Sequence, residues 1–371
     1  MVLEHGRLSE DGIALLRSRI GSYYKIEPNN DQVTKDAVRK AADGVGDFRN
    51  ALWRDEDYAR RTRYASIIAP PWFFYCVSNI TGMRAGGLPG VHAFHSGTDW
   101  LLLAPVKVND TISSNYRPID IVEKKSEFAG RSLIVYAESA YTNRTGEVAA
   151  RAIGWSIRVE RSAAKEKGKY SGVRYHQYTP DELRRIKEDI KNEQVRGSVP
   201  RYFEDVQIGE EITPIVKGPL SIGDMMAWRT GAIVGEAHGF SIRHFRRHPA
   251  WSYRDPETGA RGAIAQVHEQ DVAAGGIAIP AAYDLGAQRN SWVMQGMTNW
   301  VGDDGWIKTI ICEYRRFNIY GDTQWVKGKV IDKVVKDGEH LVKLDVWTEN
   351  QRGETTAPAK AMAVLPSRQS K

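Results

Sequence analysis

Four short segments recur in the same order in the two halves of the chain, and that order constrains the fold more than any other feature. Gly44-Val45-Gly46-Asp47 is matched by Ile233-Val234-Gly235-Glu236, and IIAPPWFFY by GIAIPAAYD. The run Pro105 to Asp110-Thr111 is matched by Phe317 to Asp322-Thr323, and Asn143-Arg144-Thr145-Gly146-Glu147 by Asn350-Gln351-Arg352-Gly353-Glu354. The interval from Pro71 to Asp110 is 39 residues and that from Pro280 to Asp322 is 42. Self-similarity of this kind marks repeated structural units. Each half reads as a short entry region, one buried helix and several antiparallel strands joined by tight turns. A strongly curved antiparallel sheet whose inner face wraps one apolar helix satisfies that order with a single core, so the expected class is α+β with two such units side by side.

Local signals agree with this division. Helical patterns run from Ser9 to Ile20 and from about Asp31 to Ala42. WLLLAPV, TISSNYRPIDIVEK, RSLIVYAESAYT and EVAARAIGWSIRV then alternate as strands, punctuated by Asn109-Asp110, Ala129-Gly130 and Asn143 to Gly146. Residues 161–200 break the pattern with a charged stretch, RSAAKEKGKYSG, and a helix that Thr179 caps and Pro180 opens. The expected organisation is a first unit over 1–160, a linker with a connecting helix over 161–200, and a second unit over 201–371. The second core helix is read as Tyr283 to Trp300, apolar on more than one face as burial requires. Trp72, Phe73, Trp292 and Trp300 fall on the two core helices, where packing explains them.

Composition narrows the function classes. With 42% apolar and 26% charged residues the chain is globular, and no apolar run is long enough to span a bilayer as a helix. The opening MVLEHGRLSEDG lacks a signal peptide's basic start and apolar core. Cys76 and Cys312 stand in distant, dissimilar contexts, which argues against a disulfide framework or a thiol metal site. A reduced, cytoplasmic protein is expected, without membrane association. The net charge of +6 comes from 52 basic and 46 acidic residues interleaved, a field that favours anionic small molecules. No nucleic-acid motif accompanies it.

Chemistry concentrates in GAIAQVHEQDVAAGGIAIPAAYDLGAQRN, residues 262–290, where His268 precedes a run of small residues, a proline and the second core helix. Histidine is the side chain whose charge changes nearest neutrality. The order of elements, and this stretch above all, resembles the MaoC-like hydratase family of the hot-dog fold, in its double hot-dog form with a degenerate N-terminal half. In that family the stretch reads G-D-x-N-P-x-H-x-D, with an alanine six residues after the histidine and a glycine eighteen after it. Here Ala274 and Gly286 stand at those offsets from His268, while the following aspartate comes one residue late, at Asp271. In the first half Gly46-Asp47 keeps the opening, but Trp53 stands where the histidine belongs. In the second half Ala263 replaces the preceding aspartate, and Gly235-Glu236 occupies the place of Gly46-Asp47 at 32 residues before His268. One catalytic motif is thus read as divided by an insertion of roughly 26 residues.

The resemblance implies hydration or dehydration of a 2-enoyl-CoA thioester. That reaction needs a base for water, an acid for the alpha carbon and donors for the enolate oxygen. His268 and Glu236 are assigned as the acid and base pair, and Gly286 as the backbone donor at the helix start. Asp271 and Asp284 are the rival carboxylates; Asp271 reads better as an N-cap or loop acid, and the functional reading of Asp284, held below a structural one, is a cap on the buried helix that orients residues behind the site. Asp47 reads as structural. Arg243, Arg246 and Arg247 in SIRHFRRHPAW form either a phosphate clamp for coenzyme A or a solvated basic loop. His244 and His248 lack matching ligands for a metal, and His92 and His95 read as turn or interface residues. No metal and no cofactor is expected beyond coenzyme A carried by the substrate. The family implies a homodimer or higher homo-oligomer. The alternatives are a non-catalytic acyl-CoA-binding or partner subunit and a hot-dog thioesterase.

Overall fold

A computed structural model describes residues 6–78, 88–126, 130–160, 173–232, 245, 246, 249, 252–275 and 279–369. The first unit holds helices Glu10–Arg17, Lys35–Asp43, Glu56–Arg60 and Phe73–Val77, with strands β1 (Tyr24–Ile26), β2 (His92–Leu102), β3 (Ile112–Ser126), β4 (Gly130–Asn143) and β5 (Val148–Val159). Helix Pro180–Lys191 follows, its Thr179 and Glu182 forming a reciprocal capping box. The second unit holds β6 (Ile215–Lys217), helix Ile222–Ala232, β7 (Ser252–Arg254), β8 (Arg261–Ala263), helix Asp271–Gly275 and the core helix Gly286–Val301. It ends with β9 (Trp306–Glu313), β10 (Gln324–Lys336), β11 (Glu339–Asn350) and β12 (Thr355–Val364).

Ten of these strands form one sheet in the order β1-β3-β4-β5-β2-β9-β12-β11-β10-β6, while β7 and β8 pair separately. The two half-sheets therefore do not merely lie side by side. They join through antiparallel pairing of β2 with β9, from Gly97 opposite Glu313 to Leu101 opposite Thr309.

The repeat is visible atom by atom. Asn143 Oδ1 accepts from the Glu147 N–H at 2.9 Å, and Asn350 Oδ1 from the Glu354 N–H at 3.1 Å. Each asparagine also donates from Nδ2 to its glutamate, at 3.1 and 3.0 Å. Gly146 and Gly353 take φ of 88° and 74°, a conformation glycine adopts without penalty. Asp110 accepts from the Lys107 N–H and Asp322 from the Ile319 N–H, closing equivalent turns. Even the β-bulges match, at Pro118/Asp120 in β3 and Val330/Asp332 in β10.

Core helix Gly286–Val301 begins three residues later than the sequence pattern suggested, because Tyr283 and Asp284 are extended. Tyr283 forms a bridge to Ile319, as Ile68 does to Lys107. The Asp284 N–H donates to Asn318 O at 2.9 Å, and the Ala69 N–H to Val106 O at 2.7 Å. These bonds pair Ile68 with Tyr283, so the sequence match of IIAPPWFFY to GIAIPAAYD is displaced by six residues. Proline attracted the alignment, whereas hydrogen bonding to the next turn sets the register. Pro71 consequently stands where Gly286 stands in the second half.

The inner face of the first half-sheet is covered twice. Phe73, Phe74 and Trp72 pack in the main core, which the two halves share. Leu8, Ile13 and Leu16 cover a separate patch of Ile121, Leu133 and Val135. His92 and His95 lie in β2 rather than in a turn, His92 buried and His95 half-buried.

Gly97, beside the seam, lies under the Trp155 ring, and an added Cβ would fall 2.0 Å from Trp155 Cζ2. Gly97→Ala is expected to destabilise the fold by about 1–3 kcal/mol through forced repacking, read as a lowered midpoint in denaturant unfolding. An unchanged midpoint would mean that Trp155 swings aside freely.

Candidate active site

The 3-10 turn Ile264–His268 and helix Asp271–Gly275 repeat the 3-10 turn Ala51–Trp53 and helix Glu56–Arg60. Trp53 and His268, Glu56 and Asp271, Ile68 and Tyr283, and Pro71 and Gly286 are all separated by 215 residues. The two halves therefore present the same backbone frame with different chemistry.

In the first half, Trp53 Nε1 donates to Asp47 Oδ2 at 2.8 Å, and the Asn50 N–H donates to Asp47 Oδ1 at 3.3 Å. Asp47 is buried and acts as an anchor for the turn. An indole at this place supplies no base, and Pro71 supplies no N–H.

In the second half, His268 Nδ1 lies 2.8 Å from Tyr283 O. Only an Nδ1–H can donate to that carbonyl, so the neutral ring carries its free lone pair on Nε2. Burial first, and then the Arg229 charge, pull the imidazole down to about 4; the Tyr283 bond and Asp284 act in the opposite direction. The apolar surroundings are Val267, Ala273, Ala274, Ile279, Tyr283 and Ile319, with Phe94 of β2 packed against them. A row of rings, His268–Tyr283–Phe317–Phe94–His92, connects the site to the first half at centroid distances of 4.7, 4.7, 5.6 and 4.3 Å.

Asp271 has both oxygens engaged, accepting from the Ala282 N–H and from Tyr175 Oη, each at 2.7 Å. Burial and then this carboxylate push the Tyr175 hydroxyl up to about 12. Asp271 thus ties the extended segment before the core helix to the chain entering the second unit. Asp284 is fully buried in an ion pair with Arg289 and accepts from Asn318 Nδ2 at 2.9 Å. Arg289 Nη1 in turn donates to Arg316 O and Thr356 O at 2.6 and 3.1 Å. This carboxylate holds the turn behind the site to the core helix.

Gly286 is the first residue of the core helix, at the end where N–H groups lack intrahelical partners. A Cβ there would fall 2.5 Å from Tyr314 Cδ2. Tyr314 is held from the first half: its hydroxyl lies 3.3 Å from Thr98 Oγ1, which lies 3.0 Å from His95 Nε2. Burial keeps this group uncharged, pushing His95 down to about 3 and Tyr314 well above its usual range. One helical turn beyond Gly286, the Asn290 carboxamide is fully buried.

Glu236 lies outside the described residues, as do Gly235, Arg243, Arg247, His244 and His248; Arg246 is described and exposed. Sequence reasoning missed the Tyr314–Thr98–His95 group and an ion pair between Arg229 and Glu269. The only signal for the pair was a carboxylate directly after His268 and an arginine in an otherwise mostly apolar helix. Among the described residues, no group of three or more His, Cys, Asp or Glu could hold a metal, and no helix is long and apolar enough to cross a membrane.

Residues 18–152 match the family model of the FAS1-like dehydratase domain region. None of the curated proteins compared matches the chain. A solved MaoC-like dehydratase superposes with a TM-score of 0.67 at 16% identity, covering 95% of this chain and 100% of that one. A MaoC-like dehydratase from Phytophthora capsici gives 0.54 at 11% identity, covering 96% and 99%. A conserved hypothetical protein from Mycobacterium tuberculosis, described as having a double hot-dog fold, gives 0.58 at 10% identity, covering 93% and 96%. The chain has the double hot-dog fold, and the family model and structural neighbours support the MaoC-like resemblance.

The burial of His268 carries a pH signature. An imidazole that titrates near 6.5 when unfolded and near 4 when folded leaves stability unaffected above 6.5 and removes it as pH falls toward 4. The full effect is about 3 kcal/mol. Between pH 6.5 and 4, His268→Gln is expected to lose less stability than the parent chain in denaturant titrations at each pH. Parallel losses would contradict a neutral, buried imidazole.

Proposed function

We propose that this chain, a double hot-dog protein of MaoC-like type, is a hydro-lyase that adds water to, or removes it from, the double bond of a 2-enoyl-CoA thioester. One observation carries the reading: a neutral histidine with its lone pair on Nε2 is tied through Tyr283 O to the segment that, three residues later, starts the core helix at Gly286. Base and oxyanion donor are thereby set by one short stretch of backbone. The match to a dehydratase family model supports the same class.

In the hydration direction His268 Nε2 takes a proton from water as the water oxygen bonds to C3. The C2–C3 π electrons shift toward C1, and the thioester oxygen accumulates charge. The Gly286 N–H, at the positive end of a 16-residue helix, donates to that oxygen. The enolate then collapses as C2 receives a proton, so the elements of one water are added across the bond. Glu236 is the proposed partner of His268 in these transfers, and Arg243, Arg246 and Arg247 are the proposed phosphate contacts of coenzyme A. In dehydration the same steps run backwards.

A second reading, an acyl-CoA-binding module without catalysis, is favoured by one feature, the replacement of histidine and glycine by Trp53 and Pro71 in the first half. The enzyme reading prevails because the second half keeps both residues.

Incubation with crotonyl-CoA, followed by the loss of conjugated thioester absorbance, tests the proposal. His268→Ala is expected to lower kcat/KM by about 10²–10⁴-fold. Full activity in that variant would dismiss the site, and no turnover of any enoyl-CoA by the parent chain would favour the binding module.

Gly286→Ala offers an independent check on the oxyanion role. Its methyl group would displace Tyr314, so kcat should fall more than KM rises; a change in KM alone would remove Gly286 from the reaction.

A further inference from the structure

Tyr314 directly follows β9 and is fixed at both ends. Its N–H donates to Ser96 O at 2.9 Å, and its hydroxyl lies 3.3 Å from Thr98 Oγ1, both partners on β2 of the other half. His95 packs edge-on against the ring, with centroids 4.9 Å apart and planes at 78°. The ring also reaches the start of the core helix, where a Cβ on Gly286 would fall 2.5 and 2.6 Å from Tyr314 Cδ2 and Cε2. The half-buried phenol therefore bridges the space between Gly286 and β2, with its polar end in the seam.

The first half shows what borders that space when the side chain is smaller. The β2–β9 ladder pairs Thr98 with Cys312 and Trp100 with Ile310, so Thr98 corresponds to Ile310 and Trp100 to Cys312, an offset of 212. The same offset links Asp110 to Asp322 in the turns that follow. Leu102 thus takes the place of Tyr314, and Ile307 that of His95. Leu102 and Ile307 border, with Trp53 and Pro71, a pocket at the degenerate site. A phenol and an imidazole stand in the second half where the first half has two aliphatic side chains.

We propose that Tyr314 sets acyl chain length, closing the inner end of the site so that it admits short 2-enoyl chains and turns away long ones. This rests on the hydro-lyase reading of the same site. Coenzyme A is large and multiply charged, so its end of the thioester points to solvent and the acyl end points inward. An acyl carbonyl oxygen at the Gly286 N–H leaves C4 and later carbons to run toward the seam, where the ring stands. Swinging the ring away would break its tie to Thr98 and strip a buried hydroxyl of a partner, so the phenol does not yield cheaply. Tyr314 acts by occupying space and takes no part in proton transfer.

Chain-length preference reads this directly. The ratio of kcat/KM for 2-octenoyl-CoA to that for crotonyl-CoA should be well below one in the parent chain. Tyr314→Leu, which copies the first half, should raise the ratio by about tenfold or more, chiefly through KM for the longer substrate. Tyr314→Phe keeps the ring and should leave the ratio near the parent value. A merely structural role would lower both substrates together and leave the ratio unmoved in either variant. If Tyr314→Leu fails to fold, Tyr314→Met takes its place, since its flexible chain can bend aside, and the same rise is expected. A parent chain that hydrates both substrates equally well, or a ratio unmoved in the folded variant, would overturn the proposal. Calorimetric binding of the saturated butyryl-CoA and octanoyl-CoA needs no turnover and separates the two readings. Tighter octanoyl-CoA binding in the variant than in the parent, without hydration of any enoyl-CoA, would overturn the hydro-lyase reading and keep the chain-length wall. Hydration by the parent with an unmoved ratio would do the reverse.

Discussion

Pairing of β2 with β9 is the interaction on which the rest of the molecule depends. It turns two half-sheets into one, with Trp100 and Ile310 directly opposite each other in the shared core. It also sets Thr98 of the first half opposite Cys312 of the second, close enough for its hydroxyl to reach Tyr314. Tyr314 then covers Gly286. A backbone pairing that looks purely architectural therefore decides how much room the start of the core helix has.

The halves diverged inside a common frame. Turns, bulges, 3-10 segments and short helices coincide, and the differences are confined to what the frame displays. Trp53 bonds a buried carboxylate where His268 bonds a backbone carbonyl. Pro71 removes a donor where Gly286 offers one. In exchange the first half supplies parts to the second: Phe94 in the apolar wall, Thr98 behind Tyr314, and the packing of helix Lys35–Asp43 that holds the helix bearing Arg229.

Much of the frame was legible because its determinants are local. Asn143 and Asn350 each fold back on a residue four positions along, and Thr179 caps its own helix. His268 and Gly286 stand out by their spacing, and the structure sets them at the end of a 3-10 turn and at the start of the core helix. Asp271 and Asp284 are bound to backbone and to a neighbouring arginine, as carboxylates flanking a helix start often are. The alignment of the two core-helix entries was misread by six residues, since proline is a strong local mark and register is set by bonds to a turn some 35–40 residues away.

The sequence by itself determined the repeat, the turn chemistry, the order of helices and strands, and which half carries the histidine. Each follows from residues within a few positions of one another, where sterics and short hydrogen bonds leave few choices. Only the tertiary structure decided that the halves share one sheet, that Tyr314 is held over Gly286 by Thr98, and that Arg229 reaches Glu269, the residue after His268. Those contacts join residues 28 to 216 positions apart in the chain. Charge pairing and ring packing depend on distance in space, and no pattern along the chain encodes that distance.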